Sequence, residues 1–373
     1  HHKSYKRPKF GYNPVFHVSA NRNSSHLLMA SLINVSLRRL SAIRLPIAAC
    51  HVRSMHRSVP CGAAKQCSLI SIPISVGQPK DGADDAPRIL KEAGLVNMLE
   101  FKLGWSVTQV PDITATSGTK DTNKDPSQTL VGVNAKNCAQ VGSTCEEVYK
   151  GVYEQAKTDN FVLILGGDHC IPIGTISGIA ATRPNTGIIW VDAHADLNTP
   201  VASNSGNMHG MPLGFLTGLV HDVQRYPSMD WFKPCVDFKD IVYIGLRDLD
   251  TFEKEKITEH GIKAYSMHDV DQLGIGGVMD EIKEYFAHKD NLHLSYDIDA
   301  LDPMFAPHTG TAVRGGLTFR EGNFICEYLY NTGKLTSMEL VEINPLLRPD
   351  IDKNQTVDTA MALLGSTMGE KIL

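Results

Sequence analysis

No Asp or Glu occurs before Asp81, although the first 80 residues hold twelve Lys or Arg. The remainder carries 24 basic and 41 acidic residues, a formal −17 within a chain of −5 overall. A basic, acid-free, Ser-rich start has the composition of an organelle transit peptide. The stretch from Met29 to Leu45 fits best, because Ile33, Leu37, Leu40 and Ile43 can share a helical face with arginines beside it. Met29 reads as the biological start, with residues 1–28 upstream of it. The expected location is the mitochondrial matrix, with the cytoplasm as the alternative. The rival reading of this arm is a disordered basic segment for nucleic acid. Targeting is preferred, so no nucleic-acid partner is expected.

Cysteine is also scarce: eight in 373 residues, none in a C-x-x-C pair. That argues against a disulfide framework and for reduced thiols. Long apolar runs are missing, and a membrane helix needs about 20 such residues. No membrane span is expected. No internal repeat and no linker divides residues 68–373. The expected organisation is a basic, mostly disordered arm over 1–67 and one catalytic domain over 68–373.

Within that domain, short apolar runs alternate with helical segments. Strands are predicted at 68–73, 161–165, 187–191, 241–246, 292–296 and 337–342. Helices are predicted at 86–99, 138–158, 172–182, 209–219, 276–288, 319–331 and 355–365. The polar stretch 114–128 reads as a surface loop. Such alternation predicts an α/β fold, three-layer α/β/α with a central parallel sheet. The near-continuous apolar strands agree, because they are buried on both sides. Ligands of such sheets bind beyond the carboxyl ends of the strands.

Three polar clusters fall at those ends. Phe161–Leu165 leads into Gly166-Gly167-Asp168-His169. Gly187–Val191 leads into Asp192-Ala193-His194-Ala195-Asp196. Leu292–Tyr296 leads into Asp297-Ile298-Asp299. Alternate residues of an extended segment point the same way, so Asp192, His194 and Asp196 can converge. Unpaired buried carboxylates would repel one another and resist desolvation. Bound cations remove that difficulty. Six donors (His169, Asp192, His194, Asp196, Asp297 and Asp299) exceed one ion's needs and imply two. Their carboxylate-rich chemistry favours a hard ion of the Mn or Mg class. Two such ions can acidify a water, which predicts hydrolysis at an electrophilic carbon or phosphorus.

At these residues the chain resembles the arginase–agmatinase (ureohydrolase) family. The matching segments are Gly166–His169, Trp190–Asp196 and Ser295–Pro303. The arginase branch matches best, through Asp196–Pro200, Ser205–Gly210, Thr309–Thr311 and Glu342–Pro345. The resemblance spans about 68–365 and implies an arginase-like fold. It implies two Mn ions, one on His169, Asp192, Asp196 and Asp297, the other on Asp192, His194, Asp297 and Asp299. Asp192 and Asp297 would bridge them. A bridging hydroxide, oriented by Asp196, would attack the guanidinium carbon of L-arginine and yield L-ornithine and urea.

The same resemblance implies that His209 shuttles protons and that Glu342 pairs with the guanidinium. Asn198 and Ser205 would hold the α-carboxylate, with Asn207 assisting through water. Asp250 would read the α-ammonium, with Asp248 nearby, and Thr311 would wall the pocket. Plainer readings stand beside these. His209 could be structural, Glu342 a partner of Arg247, Asp248 or Asp250 a helix cap, and Thr311 a turn residue. Cys170, Ala195 and His308 depart from the usual pattern without removing a ligand. Cys170 reads as a small buried residue rather than a redox site. The family's homotrimer is expected, although the end at Leu373 is shorter than the tail many animal members use between subunits. The alternatives are agmatinase, a guanidino-acid hydrolase, or a catalytically silent arginine-binding homologue. A one-zinc deacetylase of related fold would not need the carboxylate excess.

Overall fold

Strands with no exposed residue define the centre of the molecule. The computed structural model describes residues 65–115 and 134–371. The readings for the arm, for Met29 and for most of the 114–128 loop lie outside the described residues. β1 (Lys65–Ile72) opens the described chain. It is followed by α1 (Ala86–Glu92), the single turn α2 (Leu95–Asn97) and β2 (Trp105–Gln109). Next come α3 (Cys138–Ala156), β3 (Phe161–Gly166), α4 (Pro172–Thr182), β4 (Thr186–Val191) and α5 (Pro212–Leu216). Then come β5 (Ile241–Leu246), α6 (Thr251–His260), β6 (Lys263–Ser266) and α7 (Met267–Tyr285). β7 (Asn291–Asp297), α8 (Phe319–Thr332), β8 (Leu335–Val341) and α9 (Asn354–Thr367) complete it.

The eight strands form one sheet in the order β2-β1-β3-β8-β7-β4-β5-β6, and every pair is parallel. Period-two alternation splits each inner strand between two cores. Leu163 and Leu165 belong to the core that also takes in α1, α7, α8 and α9. Val162 and Ile164 pack with α3, α4 and α5. The result is the expected α/β/α arrangement. Each fully buried Leu or Ile stabilises it by about 1.5–3 kcal/mol relative to exposure.

All six predicted strands are present, with ends shifted by up to three residues. β2 and β6 were not expected. Both lie at sheet edges and are only partly buried, so neither carries a continuous apolar run. The polar helix α6 also escaped the apolar pattern. Its signals were a capping box of Asp250 and Glu253 and the left-handed Gly261 at its end.

Three helix expectations need correction. The predicted 86–99 helix is broken at Gly94, which sits at φ +96°. The predicted 209–219 helix is a turn, Met208–Gly210, followed by α5. Pro212 cannot bond back into a preceding turn, so the helix starts there. The predicted 276–288 helix begins at Met267, on a Ser266/Asp269 capping box, and is kinked at Gly274. Glu342 lies just beyond β8 rather than in it.

Candidate metal centre and substrate pocket

The carboxyl ends of β3, β4 and β7 lie close together in the sheet. After β3 the chain crosses the segment that follows β1. A Cβ on Gly167 would fall 1.7 Å from the Ile74 carbonyl oxygen, so only glycine fits. That crossing turns Asp168 away from the cluster, where its carboxylate accepts from the backbone N–H of Gly77 and Cys170. His169 faces inward.

His169 Nδ1 lies 3.1 Å from Asp192 Oδ2, 3.1 Å from Asp196 Oδ2 and 3.2 Å from Asp297 Oδ2. The ring stacks on Trp190 at 4.2 Å. Its Nε2 meets Ser295 Oγ at 2.9 Å. A ring that donates there keeps the Nδ1 lone pair free for a cation. Asp192 also reaches the second histidine: its Oδ1 is 3.3 Å from His194 Nδ1, which is 3.2 Å from Asp299 Oδ2. Two donor groups therefore share Asp192, namely His169/Asp192/Asp297 and Asp192/His194/Asp299. Asp297 is in the first of these groups, and its Oδ1 accepts the Asp299 N–H of the second. Asp196 joins through His169.

The electrostatics of this cluster call for positive charge. Burial and neighbouring carboxylates raise the pKa of Asp297 and Asp299 above the usual carboxylate range, and that of Asp196 to about 6. Burial would lower the pKa of His169, but three carboxylates outweigh it. Burial would raise that of Asp192, but the two histidines outweigh it. The buried Nδ1 of His169 has no hydrogen-bond partner, although three carboxylate oxygens surround it. Oxygen and imidazole donors without thiolate fit hard divalent cations.

Beside the cluster opens a cavity of about 160 Å³, lined by His194, Asp196, Asn198, Ser205, His209, Gly210, Asp248, Asp250, Glu253, Asp297 and Thr311. Five of these residues are acids and none is Lys or Arg. Asn198 Nδ2 donates to Asp250 Oδ2 at 3.0 Å, while its buried Oδ1 has no partner. Thr311 donates to Asp299 Oδ2 at 2.7 Å. Ser205 Oγ accepts the Asn207 N–H, but Asn207 itself does not line the cavity. Asp248 Oδ2 is 3.9 Å from His194 Nε2.

His209 Nδ1 lies 3.0 Å from Glu342 Oε1. Glu342 is buried beside the cavity wall that His209 lines. Arg247 is not its partner; that guanidinium donates to backbone carbonyls. Asp196 and Glu342 sit at φ +49° and +63°, where non-glycine residues are strained. Glu253, Ser295 and Trp190 were not anticipated as supports of the site. Glu253 accepts from the N–H of Leu197 and of Asp250, joining two walls of the cavity. Its capping-box spacing was visible in the sequence, and Ser295 shares the alternation of Asp297 and Asp299.

The model of the Arginase family matches residues 65–369. An arginase of Neurospora crassa is 43% identical over 318 residues, 83% of this chain and 87% of its own. The chain belongs to the arginase family. It is a hydrolase of that family. Among solved structures, arginase from Bacillus caldovelox superposes with a TM-score of 0.75 at 38% identity, covering 83% of this chain and 100% of its own. Entamoeba histolytica arginase in complex with L-ornithine gives 0.71 at 33% identity, covering 82% and 99%. The family's sheet is the one described above.

Proposed function

We propose that this chain hydrolyses L-arginine to L-ornithine and urea with two Mn ions per subunit. The observation that carries the reading is Asp192, whose two carboxylate oxygens serve two separate histidine–carboxylate groups. His169, Asp192, Asp196 and Asp297 would hold one ion, and Asp192, His194, Asp297 and Asp299 the other. The ions would neutralise the buried carboxylates and acidify a water toward neutral pH. The residues of the chain do the rest. Asp196 accepts a hydrogen bond from the attacking water and orients it. Glu342 pairs with the planar guanidinium, a directional charge-assisted contact. His209 delivers a proton to the leaving amine.

The acid-lined cavity suits a cationic substrate. Asp250 reads the α-ammonium, and Asn198 and Ser205 the α-carboxylate, with Asn207 assisting through water. Thr311 walls the pocket and steadies Asp299. Agmatine lacks the carboxylate and would leave these groups unpaired. The test is urea release from arginine and from agmatine, with metal analysis of the same preparation. Arginine turnover with little agmatine turnover is expected. Comparable rates would replace arginine by a broader guanidine specificity, and full metal content without turnover would point to a silent arginine-binding homologue.

Two wider readings complete the proposal. The subunits form a homotrimer, supported by the exposed apolar residues Leu273, Phe319 and Phe324 on α7 and α8. Sedimentation checks it, and a monomer would overturn it. The protein resides in the mitochondrial matrix, supported by the acid-free basic arm. Import of a fluorescent fusion checks it, and retention in the cytoplasm would overturn it.

A further inference from the structure

Arg247 follows β5 and carries a guanidinium that the proposed reaction does not use. Among the described residues no carboxylate lies within ion-pair distance of it. Its donors go to main-chain carbonyls instead. Nη2 donates to Asp299 O at 2.6 Å and Val313 O at 2.9 Å. Nη1 donates to Ala300 O and Gly245 O, both at 3.1 Å. One rigid fork thus ties the end of β5 to the Asp297–Leu301 turn and to the loop that carries Thr311.

The surroundings are shaped for that fork. A Cβ on Gly316 would fall 2.6 Å from Arg247 Nη2 and 2.6 Å from the Asp302 nitrogen. The Arg247 N–H donates to Ala193 O at 2.9 Å. Ala193 in turn donates its own N–H to Asp299 Oδ1 at 3.3 Å. Asp299 is therefore fixed on its carbonyl by Arg247 and on its carboxylate by Ala193 and Thr311. His169 and Asp297 have no bond to Arg247.

We infer that Arg247 is a positioning residue for one half of the centre, the Asp192/His194/Asp299 group, and sets the cation affinity of that half more strongly than that of the His169 half, with which it shares Asp192. The inference rests on the two-cation reading above. A positive charge by itself repels a cation, so charge alone would make Arg247 weaken binding. Carbonyl organisation makes the opposite contribution, and outer contacts of this kind typically change metal affinity by about 10- to 100-fold. Lys keeps the charge and loses the fork.

The experiment strips the full chain with a chelator and titrates Mn²⁺ into wild type, Arg247→Lys and Gly316→Ala, following heat and bound metal. Thermal unfolding of the stripped proteins controls for folding. Should Arg247→Lys fail to fold, Gly316→Ala, which crowds the guanidinium in place, supplies the measurement. The expected result is one ion weakened about 10- to 100-fold and the other weakened less. Unchanged affinity at both positions, equal weakening of both, or tighter binding of the second ion overturns the inference. Fewer than two ions in wild type overturns the two-cation reading, and this inference with it.

Discussion

His209 and Glu342, 133 residues apart in sequence, meet at 3.0 Å between Nδ1 and Oε1. Burial would push the histidine's pKa down, but Glu342 outweighs it and carries it up to about 9. Burial would raise the pKa of Glu342, but His209 and the His169 N–H hold it low. The residue proposed to move the proton and the one proposed to read the guanidinium thus neutralise each other. On the proposed reading, an arriving guanidinium would compete for Glu342 and release His209 from that partner.

Separate substitutions resolve the two roles. Glu342→Gln keeps an acceptor for the His169 N–H and removes the charge. It is expected to lower kcat/KM for arginine about 10- to 150-fold, the equivalent of one charge-assisted hydrogen bond. His209→Asn is expected to lower kcat about 10²- to 10⁴-fold. Metal content should stay at the wild-type value in both. Steady-state urea release and metal analysis check this, and unchanged kcat in His209→Asn removes the proton role.

Asn198 and Asp250 are coupled by their 3.0 Å hydrogen bond. Asn198→Ala is expected to raise KM for arginine and to leave agmatine comparatively unaffected, narrowing the preference, whereas Asp250→Ala is expected to raise KM for both, because agmatine keeps the amine. The double variant should lose less than the sum of the singles, with about 0.5–3 kcal/mol of interaction. Additive losses in a double-mutant cycle would separate the two residues.

Glu253 makes stability depend on pH. Burial dominates and raises its carboxyl to about 7 from an ordinary 4.5, against two backbone N–H donors. Below pH 4.5 the folded and unfolded carboxyls are both protonated, and this contribution to stability is fully present. Between about 4.5 and 7 the unfolded chain gives up its proton first, so stability falls as pH rises through that window. The total is on the order of 3 kcal/mol. Urea unfolding at pH 5 and pH 7.5 should therefore show a flatter dependence in Glu253→Gln than in wild type. Parallel pH profiles would refute the assignment.

Tyr296 carries a cost in the core. Its ring is fully buried in β7 and its hydroxyl has no partner. A Cβ on Gly322 of α8 would lie 2.6 Å from that oxygen. An unpaired buried hydroxyl costs about 1–3 kcal/mol. Tyr296→Phe is expected to raise the unfolding free energy by about 1 kcal/mol, read as a higher Tm with unchanged arginine turnover. A lower Tm would mean that the hydroxyl has a partner.

The legible elements were those whose identity is local. Inner strands such as Ile188–Val191 are buried on both faces and therefore read as unbroken apolar runs. The edge strands at Trp105 and Lys263 are wetted on one side and merge with loop composition. The helix at Thr251 announced itself only through Asp250, Glu253 and Gly261, because its exposed polar body lacks an apolar stripe. The ligand clusters were legible for the same local reason. Asp192 and His194 belong to one extended segment, and Asp297 and Asp299 to another.

The sequence by itself determined the chemistry available: six hard donors after three buried strands, an α/β frame and an acid-free arm ahead of it. Tertiary structure decided the partnerships. It gave Asp192 to both histidines, Asp297 to one, Glu342 to His209, and Arg247 to carbonyls instead of to Glu342. Periodicity fixes which way a side chain points within its own strand. Which group it meets depends on strand order and on turns such as Gly166-Gly167, where chain segments far apart in sequence approach to within a bond length or two.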